Sequence, residues 1–252
     1  MKRNSVFFLE IILWPIIFMV GQFFIRYIFV ALYNYQNYHN TNLYKIMQTV
    51  QYQDKLNQYL NHHTLLMALI IAIIFIPLFY LIYKKYRNYN RLKYKSLISF
   101  IILSSLFALV FNSYISIIFD YSISNLPIYI QIICSGIIGP IIEELLFRGI
   151  IFNKLKERYN VEKAMLLSTI IFSLLHLSTL DIIYTMFFGY LLVYTYNCYH
   201  NLKYPIMMHI MANTIVIIFG TIVNLNIIIF IVSLILLIIF YYKLFINACF
   251  TK

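Results

Sequence analysis

The sequence predicts an all-α, polytopic membrane bundle of about eight transmembrane helices. Three observations predict it. Of 252 residues, 63% are hydrophobic and 11% charged, whereas a soluble domain is roughly half apolar and about a quarter charged. The apolar residues form recurrent long blocks, and about 20 such residues cross a bilayer core as a helix. The basic residues collect in the gaps between these blocks.

The blocks run over residues 5–33, 64–83, 96–118, 126–152, 164–180, 182–198, 205–223 and 227–248. The first is long enough to tilt or to extend as an amphipathic helix. Its basic start, Lys2 and Arg3, leads into an apolar run that holds Glu10 and lacks a small-residue cleavage site. A retained helix is therefore expected rather than a signal peptide. Residues 34–63, rich in Asn, Gln and Tyr, read as a wetted outer loop or interfacial helix. The alternative there is a metal site from His39, His62 and His63. The fifth and sixth blocks leave room only for a tight hairpin near Asp181, and Pro140 can kink the fourth. Repeats of 20–50 residues are not apparent. Cys134, Cys198 and Cys249 are far apart in sequence and read as free thiols.

The net charge of +11 would suggest nucleic acid in a soluble protein, but its distribution points to orientation instead. With the N-terminus in the cytoplasm, eight crossings place 15 of the 19 Lys and Arg residues inside. These are Lys2, Arg3, the run from Lys84 to Lys95, the group from Lys154 to Lys163, Lys203, Lys243 and Lys252. Only Lys45 and Lys55 lie outside, while Arg26 and Arg148 fall within apolar blocks. The basic loop 84–95 reads as a topogenic segment beside anionic lipid. No nucleic-acid partner is expected. Both termini are expected in the cytoplasm of a multi-pass cell-membrane protein.

Ionisable side chains inside spanning helices cost several kcal/mol unless paired or hydrated, so they mark function by default. Here they cluster. The fourth block carries Glu143-Glu144-x-x-x-Arg148, in which Glu144 and Arg148 share a helix face and suit an ion pair. Glu143 is turned by about 100°. Two adjacent carboxylates cannot both ionise cheaply without compensation, so Arg148 is expected to hold Glu144 charged and leave Glu143 for proton transfer. The fifth block carries Phe172-x-x-x-His176 and the seventh His209-x-x-x-Asn213. At about 1.5 Å per residue, all of them fall in the inner half of the bilayer under the topology set by loop charge. Glu10 and Arg26, in the first block, read as paired or snorkelling residues.

Peptide hydrolysis needs an activated water, oxyanion stabilisation and a proton for the leaving amine. Glu143 suits the general base and His176 the partner that orients the water. His209 and Asn213 suit the oxyanion, with Glu144, Arg148 and Phe172 in support. No Ser or Cys is placed to imply a covalent nucleophile, although Ser168 and Ser173 share the fifth block. A zinc ion on His176, His209 and Glu143 uses almost the same residues, without the compact His-Glu-x-x-His arrangement of helix-borne zinc peptidases. A non-catalytic scaffold or immunity protein, or a small proton-coupled transporter, are readings from other classes. The internal symmetry expected of a transporter is absent.

Three motifs in this order on successive apolar segments resemble the CAAX-protease and bacteriocin-processing (CPBP, or Abi) family, similar to type II CAAX prenyl endopeptidases. The resemblance covers about residues 110–220, and Gly149 and Gly189 fit its habits. It organises the chain into N-terminal spanning helices over 1–109, catalytic helices over 110–223 and a last helix over 224–252. It implies an eight-helix bundle with a cavity reachable from the cytoplasmic side, and a glutamate-activated water with no cofactor expected, zinc being the lesser alternative. Its eukaryotic members cut prenylated C-terminal tails. Its bacterial members are associated with peptide maturation or export and bacteriocin immunity. The Ile-, Asn-, Lys- and Tyr-rich composition suggests an AT-rich bacterial genome. The expected partners are membrane lipid and a membrane-associated peptide or protein substrate.

Overall fold

A computed structural model describes residues 2–38, 43–87, 90–119, 126–176, 178–223 and 225–250. His39 and Lys252, singled out above, lie outside them. Every described regular element is helical, and there are nine: α1 (Lys2–Asn37), α2 (Leu43–Met47), α3 (Val50–Tyr83), α4 (Tyr94–Phe119), α5 (Ile128–Lys156), α6 (Val161–Leu174), α7 (Thr179–Tyr199), α8 (Lys203–Val223) and α9 (Ile227–Phe250). Each predicted block has its helix. Five helices, α1, α3, α4, α5 and α8, are long and apolar enough to cross a membrane, and α9 contributes a shorter apolar stretch, Ile227–Tyr242. The protein is a polytopic membrane helix bundle.

Two differences from the sequence reading have physical causes. Residues 50–63 are helix rather than loop, continuous with the apolar part of α3. Tyr52, Leu56 and Leu60 recur at helical spacing there, and all three are buried. The turn expected at Asp181 comes earlier. α6 ends at Leu174, Ser178 caps α7 and Asp181 lies in the first turn of α7. A carboxylate in that position is favoured by the helix dipole.

Contacts divide the chain into two compact units, Met1–Pro77 and Leu78–Lys252. In the first, Ile25, Phe29 and Tyr33 of α1 pack with Tyr52, Leu56 and Leu60 of α3. The Tyr52 hydroxyl donates to Asn34 Oδ1 at 2.7 Å. Lower down, the Phe75 ring lies so close to Gly21 that a Cβ there would sit 2.6 Å from Cζ.

In the second unit, α4 packs along α8 and α9. Its buried face includes the small residues Ser104, Ser105, Ala108 and Ser113. Ala108 joins Met208 and Ala212 of α8 in one buried cluster, and Ser104 Oγ donates to the Met208 carbonyl at 3.3 Å. Small side chains and serine hydroxyls suit helix contacts in lipid, where burial of apolar surface gives no drive to associate. At the end of α7, His200 takes a left-handed conformation (φ 48°) and its N–H donates to Tyr196 O at 2.7 Å. Beside it, Asn201 Nδ2 donates to Asn90 O at 2.9 Å, and the Tyr204 hydroxyl accepts from Lys93 N at 2.9 Å. These contacts fix where α8 begins, and hence the depth of His209 and Asn213.

Ala108 is fully buried against α8. Ala108→Leu is expected to lower stability by about 1–3 kcal/mol through overpacking. A drop in the thermal unfolding midpoint in detergent checks this, and an unchanged midpoint would contradict the tight α4–α8 contact.

Candidate active site

The site is built mainly on α5, whose backbone departs twice from α-helical geometry. Residues Ile132–Ile138 and Leu145–Phe152 are π-helical, and the α-helical turns Gly139–Glu144 between them carry both glutamates. Such wide turns recur at functional sites. Pro140 accounts for part of the first. Gly139 N–H bonds to Cys134 O five residues back. The next residue, Pro140, has no N–H to give. The Ser135 carbonyl therefore loses its helical partner, and Asn213 Nδ2 of α8 donates to it at 3.0 Å.

Glu144 is the centre of the cluster. Its carboxylate is fully buried, and its Oε1 accepts both from Arg148 Nη1 at 2.7 Å and from His209 Nδ1 at 2.9 Å. The ion pair expected from the four-residue spacing is present. The guanidinium is equally buried and reaches further: Nη2 donates to the Gly189 carbonyl of α7 at 2.9 Å, and Cζ stands 4.5 Å from the centre of the Phe172 ring. Among the described residues, Glu144 Oε2 has no hydrogen-bond partner.

His209 is held through Nδ1. With Nδ1–H donated to Glu144, Nε2 is the second functional nitrogen and lies 3.9 Å from Glu143 Oε2. Glu143 is the accessible member of the pair, with 25% of its side chain exposed. The edges of Phe172 and Phe188 meet the imidazole at ring-centre distances of 6.2 and 5.3 Å. Ring packing of this kind fixes the plane of the ring without competing for its nitrogens.

His176 occupies the turn just after α6, not the interior of a helix. Its ring packs edge-on against Phe172 at 4.9 Å, and Nδ1 lies 3.1 Å from the Phe172 carbonyl. A bond from Nδ1–H to a carbonyl leaves Nε2 as the acceptor nitrogen. Phe172 thus touches both histidines and Arg148, a wider role than its four-residue spacing to His176 had indicated.

Sequence reasoning missed three participants. The Gly189 and Ser135 carbonyls act through backbone, which residue type does not advertise, and the Phe188 ring looked like any core aromatic. Pro140 was the available signal for Ser135. Among the described residues, no three His, Cys, Asp or Glu side chains group closely enough to hold a metal ion. His62 and His63 are neighbouring rings packed with Tyr59 and Phe29.

Arg148→Met removes the counter-charge of a buried carboxylate, and breaking a buried pair in this way costs about 3–5 kcal/mol. The expected result is poor yield of folded protein and a lowered unfolding midpoint. A midpoint like that of the wild type would mean that the pair is dispensable.

Residues 125–215 match the family described as type II CAAX prenyl endopeptidase Rce1-like. Over 89 residues the chain is 37% identical to the Bacillus subtilis (strain 168) protein named "Putative membrane peptidase YdiL", an alignment covering 35% of this chain and 36% of that one. The chain thus spans about a third of this relative's length in the match. No solved structure matches. The matched segment holds Glu143, Glu144, Arg148, Phe172, His176, His209 and Asn213. Over that segment the chain is similar to the Rce1-like type II CAAX prenyl endopeptidase family.

Proposed function

We propose that this protein is an intramembrane endopeptidase that hydrolyses a peptide bond of a membrane-associated peptide or protein with a water activated by Glu143. One observation carries the reading: two adjacent carboxylates occupy different environments. Glu144 is buried and held by Arg148 and His209, while Glu143 is partly exposed and faces His209 Nε2 across 3.9 Å. Glu143 is thus free to exchange a proton, and paired groups in unlike environments mark acid–base assignments.

In the proposed reaction Glu143 removes a proton from water, aided by the acceptor Nε2 of His176. The new hydroxide attacks the scissile carbonyl carbon. His209 serves the oxyanion through Nε2, the nitrogen that does not bond Glu144. The Asn213 N–H left over from its bond to Ser135 joins it. The C–N bond then breaks, and Glu143 returns its proton to the departing amine. No step of this proposal requires a metal ion.

Loop charge supports both termini cytoplasmic and the site on the cytoplasmic side of the membrane. α6 has 14 residues, about 21 Å at the helical rise, against a hydrocarbon core of about 30 Å. A helix this short supports a His176 that stops inside the membrane, reached from the cytoplasmic side. In a bacterial setting the expected substrates are small membrane-associated peptides in maturation, export or bacteriocin immunity.

Two experiments test this. Comparative peptidomics of membranes from wild-type and Glu143→Ala strains is expected to reveal peptides processed only by the wild type. An identical set would refute hydrolysis and leave a scaffold or immunity role. With purified protein, removing the base is expected to lower cleavage of such a peptide by about 100-fold or more, and a chelator to leave the wild-type rate unchanged. Loss of activity with the chelator and recovery with zinc would move the water onto a metal.

A further inference from the structure

We propose that Gly189 is a positioning residue of the site, acting through its carbonyl and through the absence of a side chain. α7 contributes no side chain to the predicted catalytic set, yet it meets Arg148 at this residue. The Gly189 carbonyl accepts from Arg148 Nη2 at 2.9 Å. A carbonyl oxygen has two lone pairs, so it serves the helix and the guanidinium together. A Cβ built on Gly189 would stand 2.9 Å from Phe172 Cδ1 and 3.2 Å from Arg148 Nη2. The same glycine thus makes the space in which the Phe172 ring lies against the guanidinium.

The consequence runs in two directions from this one point. A methyl group at 189 pushes the guanidinium off the carbonyl and loosens its hold on Glu144 Oε1, the oxygen that also binds His209. It also displaces the Phe172 ring, against which both His176 and His209 pack. α7 therefore sets the orientation of both imidazoles without touching either through residue 189. The effect on cleavage rests on the peptidase reading above, but the effect on Arg148 does not.

The test uses full-length protein labelled with [15N]arginine in lipid nanodiscs, with the Arg148 signals assigned by their loss in Arg148→Lys. Held at both ends, the wild-type Arg148 guanidinium is expected to give separate, slowly rotating Nη signals. In Gly189→Ala these are expected to average. The matched control is Gly21→Ala, which crowds an aromatic ring in the other unit (2.6 Å from Phe75 Cζ) and is expected to leave them separate. Should Gly189→Ala not fold, Phe172→Leu with Gly189→Ala relieves the ring clash and keeps the Cβ against Nη2, so averaging is still expected. In a second arm, solubilised membranes of the Glu143→Ala strain supply the substrate peptides. Gly189→Ala is expected to lower kcat by about 100-fold with KM within about twofold, and Gly21→Ala to change neither. Separate Nη signals in the Gly189 variants, or averaged ones in the wild type, would overturn the inference. Averaged signals in the Gly189 variants with no cleavage by any protein would support it and count against the peptidase reading instead.

Discussion

One oxygen atom organises the larger unit of this molecule. Glu144 Oε1 accepts from Arg148 and His209 in a place that water does not reach. Burying an ionised carboxylate costs several kcal/mol even after relaxation, and in lipid no solvent is available to mitigate it. The neighbouring helices can be read as answers to that cost. α5 provides the opposite charge, α8 the imidazole, α6 an aromatic face for the guanidinium, and α7 a carbonyl for its second nitrogen. With Glu144 committed in this way, Glu143 stands one residue away in a different setting, partly exposed and facing the other nitrogen of His209.

A spanning helix must satisfy its backbone within the protein, which makes the irregular stretches of α5 notable. Two π-helical stretches flank the glutamates, and side chains bond to carbonyls in both. Asn213 meets the Ser135 carbonyl. Asn153 Nδ2 reaches the carbonyls of Arg148 and Gly149 at 3.0 and 2.9 Å. Ser168 Oγ donates to Phe147 O at 3.2 Å. Polar residues that hydropathy alone would count against these helices are the ones that make α5 tenable.

Much of this was legible beforehand, for identifiable reasons. Helix existence followed from block length, because a bilayer imposes one length and one way of closing backbone hydrogen bonds. The Glu144–Arg148 pair followed from four-residue spacing, which is local geometry. What was hidden was non-local or carried by backbone. No spacing rule joins Gly189 to Arg148, 41 residues away. The end of α6 was misplaced because Leu175 and Leu177 continue the apolar pattern past the last helical turn, so hydropathy could not mark the stop. Residues 50–63 were ambiguous because their polar composition concealed the buried stripe of Tyr52, Leu56 and Leu60.

The missing N–H of Pro140 has a reach beyond its own helix. By leaving the Ser135 oxygen unserved, it draws the amide of Asn213 across from α8 and holds that side chain in one rotamer. An imino acid on one helix thereby acts as a latch on an amide carried by another. A chain that regained the hydrogen at position 140 would release the latch, leaving the Asn213 amide to swing between alternative acceptors while every ionisable group stayed where it is.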